Sequence, residues 1–215
     1  MTTHGDAERR ETRAWWARTL VVAQAPRPVF AALRDDSREA AEDRQEQVAT
    51  IVFLVGVALT VASAAAASFA DDPERRGIVI PVWLFIAGLF VGAVNYWVGG
   101  GVLFLALNLL GGEGSYRRAR HLLAFAAVPI ALSLVLLPVR LAIWGDDIFR
   151  SGGADEGLGG DVFNALEIAF AVWALLLLAI GIRTVESWSW RRALAATALF
   201  GALAALADVA LQIFG

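Results

Sequence analysis

Cysteine is absent from the chain, which excludes disulfides, thiolate metal sites and cysteine nucleophiles. Lysine is absent as well, so every strongly basic side chain is one of eighteen arginines, and histidine occurs only at His4 and His121. Charge is scarce overall: 18% of residues are Asp, Glu, Lys or Arg, against about 25% in a soluble domain. The first 48 residues also lack the apolar core and small-residue cleavage site of a secretory signal, so the first apolar run is expected to serve as the insertion signal. What the chain has in excess is apolar residues, 58% of 215, where about 45 to 50% is usual. The net charge of -3 arises mainly in the N-terminal tail and the connections, and it implies no nucleic-acid partner.

Residues 1–48 are expected to form a cytoplasmic tail with amphipathic segments lying in the membrane interface. Arg13, Trp15, Trp16, Leu20 and Val21 recur at helical spacing, and a second short segment after Pro28 offers Val29, Phe30 and Leu33 beside Arg34. Pro26 and Pro28 are expected to break the chain between the two. Residues 49–215 then form the membrane domain, an all-α polytopic bundle of five transmembrane helices: 49–69, 78–110, 121–144, 162–182 and 193–214. The second run is 33 residues without a charge, interrupted only by Gly99, Gly100 and Gly101. Split in two it would leave pieces near the lower limit of a span, so one tilted helix loosened at the glycines is the better reading. Ser115 is placed to cap the third helix, and Pro129 and Pro138 lie within it.

Arginine segregation orients the bundle, because short cytoplasmic segments collect it. With the N-terminus cytoplasmic and the C-terminus outside, the inner segments hold fourteen of the eighteen arginines. The expected location is the plasma (cytoplasmic) membrane, multi-pass.

Gly88 and Gly92 form a small-xxx-small pair on the second span, and Asn95 continues that side, the pattern of a helix-packing face. Gly201 lies on a stripe of the fifth span with Thr197, Ala205, Asp208 and Gln212, which is expected to face the bundle interior. Three charges interrupt apolar spans: Arg140, Glu167 and Asp208. On the expected topology all three sit about 7 to 10 Å below the outer helix ends at 1.5 Å per residue, and they form a candidate buried polar cluster. Nothing points to catalysis. There is no aspartate dyad, no membrane-embedded His base and no ligand set for a metal or redox cofactor, so no catalytic, cofactor or metal residue is expected.

Four pieces carry a family resemblance: Pro26, Arg27, Val29, Phe30 and Leu33 before the membrane; "GGEGSYRRAR" after the long second span; "HLLAFAAVP" in the third; and Trp173 in the fourth with Arg192 and Ala193 opening the fifth. In this order the chain resembles the Yip1 domain family of multi-spanning membrane proteins, most nearly its prokaryotic members. The resemblance implies a membrane protein that, in eukaryotic relatives, is associated with vesicle trafficking and small GTPases. The tail holds no Asp-Leu-Tyr-Gly-Pro-like motif, so no binding residue is carried over. The expected function is a non-enzymatic scaffold or adaptor in the lipid bilayer, meeting membrane or cytoplasmic proteins through its tail and Arg-rich loops, with room for a homo-oligomer. The alternative is a small-solute or ion transporter using the buried charges.

Overall fold

The structure is a computed structural model that describes residues 21–63, 79–149 and 157–214. All regular structure among them is helical, and four helices are long and apolar enough to cross a membrane: α2 (Arg38–Val61), α3 (Val79–Leu109), α4 (Tyr116–Trp144) and α5 (Leu158–Glu186). A short α1 (Pro26–Ala32) precedes them and α6 (Trp190–Phe214) follows.

The tail differs from its expectation. Arg13, Trp15, Trp16 and Leu20 lie outside the described residues. The helical turn 21–24 stops at Ala25, so the chain does break just before Pro26. Pro26 then opens α1, because its missing N–H falls in the first turn, where no helical partner exists, while Pro28 lies inside α1. Phe30 and Leu33 are not laid on a lipid interface. They are 0% and 2% exposed and pack into the core against α4 and α5. The first membrane helix likewise begins eleven residues before Ala49. Ser37 caps it by accepting the Ala40 N–H at 3.3 Å, Glu39 complements the helix dipole, and Arg38 pairs with Glu42 one turn on. Ala41 and Val48 are buried along this polar first half, so residues 38–48 belong to the packed bundle.

α3 is one helix that widens to a π turn at Asn95–Gly99. The glycines there admit α4: a Cβ on Gly100 would lie 2.3 Å from Cγ of Arg120. In α4, Ser115 caps the start by accepting the Arg118 N–H at 3.0 Å. The helix is interrupted at Ala127, just before Pro129, and tightens to 3-10 geometry at Ser133–Val135. It ends at Gly145, whose φ of 64° suits a residue without Cβ. α5 ends at Ser187 in the left-handed conformation, φ 55°.

The helices are tied most tightly at the end where α1, α3 and α5 finish. There Phe30, Leu33, Leu103, Leu122, Leu178 and Ile182 form a closed core. A Cβ on Gly181 of α5 would come 2.5 Å from Leu122 and 3.1 Å from Phe30, so the missing side chain is what lets three elements meet. Toward the other end, Val139, Ile143, Val162 and Ile168 are exposed, while Trp144 packs on Phe163 at 5.3 Å between ring centroids and keeps α4 against α5.

Candidate functional site

The Arg-rich end is a fixed polar lattice built on helix termini. Three helices end there, each leaving unsatisfied carbonyls and the negative pole of its dipole. Each is met by an arginine from elsewhere in the chain. Arg44 donates to Ala32 O at the end of α1 at 2.8 Å, and to Asp35 O at 2.7 Å. Arg192 donates through Nε to Leu110 O at the end of α3 at 3.0 Å while stacking on Trp188 at 3.9 Å. Arg34 donates through Nε to Thr184 O near the end of α5 at 3.0 Å, and through Nη2 to the Ser187 hydroxyl at 2.9 Å. The arginines from which the orientation is expected therefore also close the chain's helix ends.

Asp36 ties the tail to α4. Its carboxylate accepts from the Ser115 hydroxyl and from Arg117 Nε at 2.9 Å, Arg117 Nη2 donates to the Asp36 carbonyl, and Arg118 reaches Arg34 O at 3.1 Å. Burial pushes the Asp36 carboxyl up, but the hydrogen bonds from Ser115 and Arg117 outweigh it and hold the group below its ordinary value of 3.8. The Asp35 carboxyl is also held low, first by the Ser37 backbone N–H. His121 is 7% exposed and stacked on Tyr96 at 6.4 Å between ring centroids.

Between α2, α3 and α4, next to this lattice, runs a groove of about 450 Å³ that carries Arg38, Arg117 and Arg120 at one end and apolar residues along its length.

The sequence-derived candidates fall into two places. Gly88 and Gly92 are buried where α3 crosses α2, with Cβ positions 2.6 Å from Val57 Cγ2 and 2.3 Å from Val52 O. Their counterpart, Gly56, was not singled out, although a small-xxx-small spacing with Thr60 was there to be read; its Cβ would lie 1.9 Å from Gly88 O. Asn95 begins the π turn and is classed as exposed. Gly201 is exposed, and among the described residues nothing lies within 4 Å of its Cβ position; α6 meets the described bundle through its first half, at Ala193 and Ala196. At the opposite end, Arg140 Nη1 lies 2.9 Å from Glu167 Oε1, their side chains 17% and 30% exposed. The pair borders a cavity of about 170 Å³ with Ser133, Leu59 and Phe170. Asp208 falls on α6, its side chain outside the described residues. Among the described residues, no group of three His, Asp or Glu side chains could hold a metal ion.

The model of the Yip1 domain matches residues 22–211. The chain belongs to the Yip1 domain family. The match begins at Val22, itself fully buried, so the Yip1 domain takes in α1 and the tail residues that the Arg-rich lattice ties down. No curated protein and no solved structure matches the chain. It is a multi-pass membrane protein of the Yip1 family.

Proposed function

We propose that this Yip1-domain protein is a non-enzymatic membrane scaffold or adaptor of prokaryotic type. In this reading it spans the plasma membrane five times, with its Arg-rich end in the cytoplasm and its C-terminus outside. The observation that carries the reading is the clamping of Arg34 on the end of α5, Asp35 on Arg44 of α2 and Asp36 on the start of α4. A free tail must be ordered on binding, whereas a clamped one offers partners a preorganised surface. The fifth span is supported by the 25 residues of α6, about 37 Å at 1.5 Å per residue, against a hydrocarbon core of about 30 Å. Arginine segregation supports the orientation. The Arg140–Glu167 pair is accounted for as a clamp between α4 and α5, without transport.

A photo-crosslinking residue at Arg27 or Glu39, both exposed on the clamped segment, tests the reading in native membranes. The expected result is a discrete protein adduct that disappears in Asp36→Ala while helix content persists. Adducts to lipid alone, or an adduct indifferent to Asp36, contradict the scaffold.

A further inference from the structure

We propose that the groove between α2, α3 and α4 holds one anionic glycerophospholipid from the leaflet at the Arg-rich end. The groove has two chemically distinct parts. Its stem is formed by Val52, Phe53, Leu89 and Ala93, and its head by Arg38, Arg117 and Arg120 with Glu42 as the carboxylate among them. It opens sideways rather than into the bundle, since Leu89 and Trp97 on its wall are 54% and 53% exposed on helices that face lipid.

Its depth fits the headgroup side of one leaflet. The apolar run of α2 begins at Ala49, so Val52 and Phe53 lie about 5 to 6 Å inside the hydrocarbon at 1.5 Å per residue. Arg120 stands at the same boundary, directly before the apolar run of α4. An acyl chain laid along the stem would therefore bring its phosphate to the arginines.

Arg120 supplies the chemistry. Its guanidinium stands over the Trp97 ring at 3.7 Å, the Tyr116 ring at 4.6 Å and the Tyr96 ring at 5.0 Å from their centroids. Rings hold the flat face of a guanidinium by cation–π attraction, but they accept little from N–H groups that point outward in its plane. Its Nε and Nη1 are buried without a hydrogen-bond partner among the described residues. Two buried donors left unpaired on a guanidinium held this firmly call for an anionic acceptor such as a phosphate oxygen. Glu42 pairs with Arg38 and Asp36 with Arg117, which leaves the mouth with the uncompensated charge of Arg120, so a zwitterionic headgroup would add a cation to a positive site, whereas an anionic one would not. The assignment stands independently of the scaffold reading, because it concerns a lateral groove and not the clamped tail.

Native mass spectrometry of the full chain in mild detergent, titrated with phosphatidylglycerol or phosphatidylcholine of matched chains, tests it. Phosphatidylglycerol should bind at least about tenfold more tightly, the scale of one charge-assisted contact. Arg38→Gln and Arg120→Gln should each reduce that binding by about the same factor. Ala93→Phe, which fills the stem and leaves every charge in place, should reduce it as well. Circular dichroism reports the fold; if Arg120→Gln loses helix, Arg38→Gln and Ala93→Phe decide. Equal affinity for the two lipids, binding unchanged in folded variants, or displacement of the lipid by equimolar inorganic phosphate would each overturn the assignment.

Discussion

Replacing Gly56 by Ala should drive α2 away from α3, and the coordinates say by how much. The added Cβ would stand 1.9 Å from Gly88 O and 2.5 Å from Gly92 N, so it is about 1.5 Å short of an ordinary contact with that oxygen. The obstacle is backbone in the middle of a helix, which cannot rotate aside as a side-chain tip can. Overpacking of this kind costs about 1 to 3 kcal/mol, and the immovable neighbour places it toward the upper end. Against it stands the better helix propensity of Ala, about 1 kcal/mol. The net expectation is a loss of about 2 kcal/mol. Gly201→Ala is the internal control, since nothing described lies within 4 Å of that Cβ position and only the propensity gain of up to about 1 kcal/mol remains. The two variants, each compared with the parent by equilibrium unfolding in mixed micelles, should therefore move in opposite directions. A shift of the same sign in both would refute the close-approach reasoning, because propensity alone would then account for the data.

Arg140→Glu should destabilise the bundle by setting like charges 2.9 Å apart in place of the pair with Glu167, and adding Glu167→Arg should restore part of the loss; additive effects in the double-mutant cycle would remove the clamp. Asp36 has a folded-state carboxyl held below 3.8, so its contribution is fully present above that pH and is lost as pH falls through the lower folded value. Unfolding titrations below about pH 4 should accordingly show a weaker pH dependence in Asp36→Asn than in the parent. Phe30→Ala should cost about 3 to 5 kcal/mol, since the ring is fully buried against Gly181. Faster protease cleavage after Arg27 or Arg34 would report the release of α1.

The membrane helices were legible because bilayer thickness imposes a minimum apolar length, and the uncharged run 78–110 could be joined across its glycines on that ground alone. The start of α2 was not legible by the same rule. Hydropathy finds where lipid begins, near Ala49, while the helix begins where its N–H groups are first satisfied, at Ser37 with Glu39 after it. Phe30 and Leu33 carried the ordinary signature of an interfacial segment, and nothing in spacing separates a face turned to lipid from one turned to α4 and α5. Small residues at 88 and 92 marked a crossing, yet the pattern could not name Gly56 as the partner. At Gly201, polar and small residues share a stripe that the described bundle leaves open. The arginines were read for sidedness alone. Their second role, meeting the carbonyl ends of α1, α3 and α5, depends on pairs about 80 to 150 residues apart for Arg192 and Arg34, which no local pattern reveals.

The five-span account turns on which side of the membrane three positions occupy, and a chain without cysteine allows each to be labelled alone. Ser151→Cys, Ser189→Cys and Gly215→Cys would be exposed in turn to an impermeant maleimide, in intact cells and after permeabilisation. The account predicts labelling of the first and third in intact cells and of Ser189→Cys only after permeabilisation. Protection of Gly215→Cys in intact cells, with Ser151→Cys still labelled, would mean that α6 does not cross, and would contradict the account.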